Sequence, residues 1–338
     1  MVLVGVGLIG GERLRALESL AEAGHDVDVV GVLDPAHPEL AAASRFEPKL
    51  CSTLADVIAA DPDWTFVATP HDVAVEYVPS LLQAGLQVLV EKPLGRTSVE
   101  AKMLANTRID ADQLRVGHNY RFFRGIEALL DDVEAGTFGE LVSLNLVLGH
   151  GGSPGMEEGW KLDPQRAGGG ALIDPGIHLL DLVRLVARAE VSVVGGSAWG
   201  GFWGTGIEEE CHLLLRAASI PLISLEVSLV RWRSTFRMEV HGTEGYGLVE
   251  GRGRSYGVQT YRRGERWGWR SAPSQAESEQ LVMESDGADV FQRELAALLF
   301  PTGSQRVHVC TADEAIENME LLDACRRSCA VEVGGGDS

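Results

Sequence analysis

No stretch of this sequence approaches the roughly 18 consecutive apolar residues that a membrane-spanning helix needs. The amino terminus also lacks the charged-then-apolar order of a signal peptide. Cysteine is scarce and odd in number: Cys51, Cys211, Cys310, Cys325 and Cys329, with no pair at zinc-finger spacing. That excludes a disulfide framework or a zinc ribbon and fits a reduced, cytoplasmic compartment. Positive charge is short as well, with 29 Lys and Arg against 49 Asp and Glu, a net charge of −20. A nucleic-acid or anionic-membrane partner needs a basic face, so the balance argues against both. Arg231, Arg233, Arg237 and the Arg252–Arg270 segment are where a local basic site could form. Internal repeats and low-complexity linkers are absent.

What is present is enough for two domains: 338 residues, 45% of them apolar and 23% charged. Val2-Leu3-Val4 reads as a short strand, followed at once by Gly5-Val6-Gly7-Leu8-Ile9-Gly10. An amphipathic run from Glu12 to Ala23, with Leu14, Leu17 and Leu20 on one side, ends at Gly24. Strand, glycine loop and helix are the setting in which G-x-G-x-x-G holds a dinucleotide. The glycines allow the turn, the approach of the pyrophosphate and the close packing of helix on strand. The next strand, Val27 to Leu33, ends in Asp34, placed to meet the adenosine ribose and to repel a 2′-phosphate. NAD is therefore expected, with NADP as the alternative, although Asp34 before Pro35 equally suits a turn.

The alternation continues through a strand at Trp64 to Ala68, a loop Thr69-Pro70-His71, a helix from Asp72 to Ala84 and a strand from Leu86 to Val90. Short apolar strands between helical runs imply a parallel sheet covered on both faces, which binds ligands at the carboxyl ends of its strands. That edge collects Gly5 to Gly10, Asp34, Thr69 to His71 and Glu91-Lys92-Pro93. Lys92 follows directly on a strand, so its ammonium is expected in the crevice, polarising an oxygen; an exposed strand-end lysine is the plain alternative. Thr97-Ser98-Val99-Glu100 reads as a capping box. Leu114 to Val116 is a last strand, leading into Gly117-His118-Asn119-Tyr120-Arg121-Phe122.

A second constellation lies at Gly168 to Asp181. Three glycines precede a run that turns helical through Leu179, Leu180, Leu182, Val183, Leu185 and Val186. At helical spacing Asp174, His178 and Asp181 fall on one face, a carboxylate, an imidazole and a second carboxylate. An imidazole beside a carboxylate is suited to proton exchange near neutral pH. The same residues also suit a plain helix start, with Asp174 as cap and Pro175 in the first turn.

G-x-G-x-x-G, the A-T-P-H loop, the E-K-P triplet and G-G-G-x-x-x-D-x-G-x-H-x-x-D occur here in that order. Together they resemble the glucose–fructose oxidoreductase / inositol dehydrogenase / rhizopine-catabolism (Gfo/Idh/MocA) family, over essentially the whole chain. The resemblance implies an α/β protein with a Rossmann domain, 1–118, and an α/β domain with an open, mostly antiparallel sheet, 119–338. It implies that Lys92, Asp174 and His178 form the catalytic group. The cofactor set would be Gly5, Gly7, Leu8, Ile9, Gly10, Asp34, Thr69, Pro70, His71, Glu91, Lys92 and Asn119. Only four residues precede Gly5, fewer than is usual in that family, which leaves two expectations, a truncated first strand with weakened cofactor affinity or a start assigned late.

After Tyr120 the period changes to two. Leu141 to Leu148, Ile223 to Leu229 and Phe236 to His241 alternate apolar and polar residues, the mark of a sheet covered on one side. The Gly170–Val186 helix would cover it, and the family resemblance implies that the free face joins subunits into a homodimer or homotetramer. The glycine-rich loop 149–170 carries Met156, Trp160, Lys161 and Arg166. Such loops often cover active sites: Trp160 could stack on a sugar and Lys161 or Arg166 meet an anionic group, while a flexible connection with an incidental tryptophan is the equal alternative. Tyr120, Trp160, Lys161, Lys92, Asp174 and His178 make up the expected substrate set. A final helix from Ala312 to Cys329 and a disordered Gly334–Ser338 complete the chain.

The reading is an NAD(P)-dependent oxidoreductase acting on a hydroxyl or ketone of a sugar, polyol or nucleotide-linked sugar. His178 takes the proton, with Lys92 as the alternative carrier, Asp174 orients and balances the imidazole, and Lys92 favours the developing alkoxide, so that no metal is called for. A non-catalytic NAD(P) sensor and a dehydrogenase of a dihydrodiol or biliverdin-like substrate are the alternatives.

Overall fold

A computed structural model describes residues 1–39, 44–266, 279–302 and 308–333. Gly334–Ser338 and Arg270 lie outside the described residues. The chain forms two compact units.

The first unit comprises Met1–Asn119, Gln165–Gly168 and Asp289–Met319. The expected boundary put Asp289–Met319 in the second domain. They belong to the first because the helix Val290–Leu299 packs on the helix that follows the glycine loop. The strands are β1 (Val2–Val4), β2 (Gly31–Leu33), β3 (Lys49–Leu50), β4 (Thr65–Val67), β5 (Val88–Glu91) and β6 (Leu114–Gly117). They run parallel in the order β6-β5-β4-β1-β2-β3, and Cys310–Thr311 pairs antiparallel outside β6. β1 has three residues, the same length as β2 and β4. Its three residues and those of its neighbours are buried, because helices cover both faces of such a sheet. Four helices alternate with these strands: α1 (Leu8–Glu22), α2 (Leu54–Ala59), α3 (His71–Gln83) and α4 (Ser98–Asn106). Helix α4 starts as expected at Thr97, whose hydroxyl accepts the Glu100 N–H, but the Glu100 carboxylate turns to Arg96 instead of closing the box.

Register decides what meets at the carboxyl edge. Val4 stands beside Leu33 and Val67, and Val67 beside Val90. The next residues along each strand are therefore neighbours: Gly5, Asp34, Ala68 and Glu91.

The second unit holds Tyr120–Pro164, Gly169–Ala288 and Glu320–Ser338. Here α5 (Arg124–Glu134) and α6 (Gly176–Ala187) accompany eight strands. These are β7 (Leu141–Gly149), β8 (Val191–Gly200), β9 (Glu210–Ala217), β10 (Ile220–Ser228), β11 (Thr235–Gly242), β12 (Gly245–Glu250), β13 (Gln259–Glu265) and β14 (Glu279–Ser285). The sheet order is β14-β13-β12-β11-β7-β10-β9-β8, with Cys329–Val333 as the ninth strand beyond β8. All pairings are antiparallel except β7 with β10 and β8 with Cys329–Val333. Helix α6 lies against β7 and β10, and α5 against β12, β13 and β14. Leu144, Leu146, Leu148, Leu213, Leu225, Val227 and Met238 fill the space beneath. On the opposite face Leu214, Leu222 and Trp199 are exposed.

Among the described residues no helix is long and apolar enough to cross a membrane. All five cysteines are buried thiols.

Candidate active site

In the first unit the glycine loop leaves β1 and enters α1 with Gly7 as the residue before the helix. The glycines differ in what surrounds them. A Cβ on Gly10 would stand 2.0 Å from the Gly5 carbonyl oxygen, so helix and strand touch backbone to backbone there. A Cβ on Gly7 would have nothing within 4 Å. Space at the helix amino terminus, where N–H groups are unsatisfied and the dipole is positive, is what a pyrophosphate requires. Leu8 is 71% exposed beside it, while Gly10 is buried. The residues present therefore fit a dinucleotide.

Asp34 ends β2 and faces this loop. Its carboxylate accepts the Val6 N–H at 2.7 Å, the Ala36 N–H at 2.8 Å and the His37 N–H at 3.1 Å. Partial burial works against its charge, but the Val6 and Ala36 N–H groups outweigh that and hold its pKa below the usual carboxylate value. An ionised Asp34 thus braces the glycine loop as well as standing at the expected ribose position.

Thr69 and Pro70 follow β4, and Pro70 precedes α3. His71 opens that helix, buried, with Nδ1 donating to the Ala167 carbonyl at 2.8 Å. The Gln165–Gly168 turn is also held by Arg166 to Asp72 at 3.1 Å and by Arg96 to the Gln165 carbonyl at 2.6 Å. Arg166, expected to meet an anionic group, is engaged with Asp72. Glu91 ends β5, and Lys92 follows it, joined to Pro93 by a cis bond. Asn119 opens a short helical turn, Asn119–Phe122, after β6.

Arg13, on α1, went unsuspected. It is 1% exposed and donates to Glu91 at 2.5 Å and to Glu294 at 2.9 Å. One guanidinium thereby ties the nucleotide helix to the strand end that carries Lys92. Nothing local signals this, since Glu294 is 281 residues away.

In the second unit Gly170 is explained by Glu208. A Cβ on Gly170 would lie 1.9 Å from the Glu208 carbonyl oxygen. That carbonyl accepts the Ala171 N–H at 2.8 Å, and the Glu208 carboxylate accepts the Gly170 and Leu172 N–H groups at 3.0 and 3.2 Å. Glu208 and Glu209 are buried, spent on backbone N–H groups.

The expectation of Asp174, His178 and Asp181 on one helix face needs correction. Helix α6 begins at Gly176, and Asp174 lies before it, ahead of a cis bond to Pro175. Asp174 binds Lys161 at 2.8 Å. His178 is on the helix, 5% exposed, its ring stacked on Tyr120 with centroids 3.9 Å apart and planes 12° apart. Asp181 is fully engaged elsewhere, accepting from Arg121 Nε at 2.8 Å and Nη2 at 2.5 Å. The spacing rule failed because proline interrupts the helix between the first and second members of the set. Tyr120 is buried, and that burial raises the pKa of its phenol, so it serves as a neutral wall for the imidazole. Trp160 sits in a short helical turn, Trp160–Leu162, with the Lys161 ammonium 5.9 Å from its ring centroid.

Residues 1–118 match the family described as "Oxidoreductase family, NAD-binding Rossmann fold", and residues 126–246 match "GFO/IDH/MocA C-terminal domain". The chain belongs to the GFO/IDH/MocA family. It is thus an NAD-binding oxidoreductase with a Rossmann unit and a second sheet unit, as its four motifs implied. Among relatives in this family, levoglucosan dehydrogenase of Pseudarthrobacter phenanthrenivorans is 29% identical over 280 residues, 71% of this chain and 72% of that protein. Rhizopine catabolism protein MocA of Rhizobium meliloti is 32% identical over 196 residues, 56% of this chain and 57% of that protein. A solved levoglucosan dehydrogenase, in complex with NADH and levoglucosan, has the same fold, with a TM-score of 0.79 at 20% identity over 97% of this chain and 95% of that one.

Proposed function

We propose that this member of the family transfers hydride between a nicotinamide dinucleotide and a hydroxyl or ketone of a sugar, polyol or nucleotide-linked sugar. The observation that carries the reading is the buried Tyr120–His178 stack beside the Lys161–Asp174 pair in a family oxidoreductase. The activity for which the levoglucosan dehydrogenase relative is named supports a sugar-type substrate.

The bound nicotinamide supplies the hydride acceptor or donor. In the oxidative direction His178 accepts the proton of the reacting hydroxyl. Its ring orientation comes from the Tyr120 face, and Asp174 offsets the charge that the imidazole gains. Lys92 is assigned to the same oxygen, where an ammonium stabilises developing alkoxide. Gly7, Leu8, Ile9 and the start of α1 receive the pyrophosphate, and Asp34 favours NAD by repelling a 2′-phosphate. The exposed face around Leu214, Leu222 and Trp199 is the surface assigned to subunit contact in a homodimer or homotetramer.

The test follows reduced-nicotinamide absorbance with NAD or NADP and a panel of free and nucleotide-linked sugars, with Lys92→Met as the blank. Turnover with one class of substrate, lost in Lys92→Met while dinucleotide binding persists, is the expected result. Equal turnover by the variant sinks the assignment.

A further inference from the structure

Arginines that the structure buries are answered by carboxylates: Arg13 by Glu91 and Glu294, Arg121 by Asp181. Arg252 is different. Its side chain is only partly exposed, its Nε is sheltered from solvent with no hydrogen-bond partner, and no carboxylate pairs with it among the described residues. The guanidinium carbon lies 3.7 Å from the Tyr256 ring centroid and 5.3 Å from that of Tyr120. Tyr120 is the ring that carries His178. Contacts with ring faces leave a guanidinium's in-plane N–H donors for other partners; the Tyr256 hydroxyl takes one of them here, and the charge of Asp174 bears on the group.

The loop that presents Arg252 is built to hold still. It leaves β12 through Gly251 and continues through Gly253, at φ +72° and +87°. A Cβ on Gly251 would meet the Val258 carbonyl at 2.2 Å, and one on Gly253 the Asp286 carbonyl at 1.9 Å. Gly251 donates to the Phe236 carbonyl at 3.0 Å and Gly253 to the Gly257 carbonyl at 2.7 Å. A fixed backbone, two aromatic faces and a guanidinium with no salt bridge among the described residues together describe a receptor for an anion.

Resting on the function proposed above, we infer that Arg252 determines specificity and that the substrate carries an anionic oxygen group which this guanidinium receives. The chemistry is a planar or tetrahedral oxyanion, either a carboxylate on the sugar itself or a phosphate of a linked nucleotide. A neutral hydroxyl fills a donor but leaves the charge uncompensated, whereas a carboxylate or phosphate takes paired N–H groups and balances it. Asp174 bears on the Arg252 charge but forms its ion pair with Lys161, not with Arg252. Electrostatics agree with the placement: besides burial, which dominates, the charges of Asp174, Lys161 and Arg252 all bear on the His150 ring, whose pKa lies below the ordinary histidine value.

The experiment compares wild type, Arg252→Gln and Arg252→Lys, with NAD, on matched pairs: aldoses against their uronic acids, and sugars against their nucleotide-linked forms. Wild type is expected to prefer one charged member. Arg252→Gln is expected to erase that preference by about 10- to 100-fold in kcat/KM, mainly through KM, and Arg252→Lys to recover part of it. Which pair responds tells carboxylate from phosphate. Calorimetric titration of the same charged compounds into NADH-loaded protein provides a readout independent of turnover. Preference for neutral members, equal losses on both members of a pair, or no binding of any charged compound overturns the inference. Lys92-dependent turnover of a neutral sugar alone would overturn it while leaving the proposed function standing. Activity untouched by Lys92→Met would instead strike the proposed function itself.

Discussion

Arg121 and Asp181, each 1% exposed, form a bidentate pair at 2.8 and 2.5 Å inside the second unit. The pair joins the residue after Tyr120 to the helix that bears His178, one turn beyond it. It therefore keeps the phenol ring and the imidazole in register. Breaking one side of a buried pair leaves an uncompensated charge, at a cost of about 3–5 kcal/mol. Arg121→Met is expected to lower the urea midpoint accordingly, and pairing it with Asp181→Leu to recover most of the loss. A shift of less than about 1 kcal/mol would show that the pair is hydrated and of little consequence.

The Arg13–Glu294 contact makes a separate prediction for the first unit. Glu294→Gln retains shape and a neutral acceptor but removes one of the two charges facing Arg13. The expected loss is about 1.5–3 kcal/mol, the range for hydrogen bonds to charged groups. Denaturation followed by tryptophan fluorescence measures it; an unchanged midpoint would place that carboxylate outside the stability of this unit.

Gly7 and Gly10 separate fold from cofactor. Gly10→Ala drives a methyl into the Gly5 carbonyl and is expected to lower both thermal stability and dinucleotide affinity. Gly7→Ala meets no protein atom. It should melt at the wild-type temperature while weakening NAD binding by about tenfold or more, equivalent to roughly 1.4 kcal/mol. Unweakened NAD binding by Gly7→Ala would move the pyrophosphate away from this loop.

Asp34 predicts a pH dependence. Its folded-state pKa is depressed, so its contribution is complete above the unfolded carboxylate value of about 3.9 and is lost as pH falls through the folded value. The stability difference between wild type and Asp34→Asn should therefore stay level from about pH 7 to 5 and shrink below about pH 4. A difference that persists at low pH would mean that hydrogen-bond geometry, not charge, accounts for it. The same variant should accept NADP more readily relative to NAD, read by the ratio of their dissociation constants.

Much of the molecule was legible in the order of its residues. Period-two and continuous apolar runs give the two kinds of sheet, because burial on one face or two leaves different imprints on a strand. Gly5 to Gly10, Asp34, Thr69 and Lys92 could be placed together because a parallel sheet aligns its carboxyl ends by construction. What required the tertiary structure is every relationship that carries no local imprint. Asp181 stands three residues after His178 yet answers Arg121; Asp174 falls off the helix because Pro175 interrupts it; the Glu208 carbonyl leaves no room for a side chain at Gly170; Asp289–Met319 returns to the first unit. Charge pairs and ring stacks are chosen by whichever groups burial leaves side by side, and sequence distance has no bearing on that choice. Spacing identified the chemistry of this chain, whereas packing decided which aspartate and which arginine are committed to the fold.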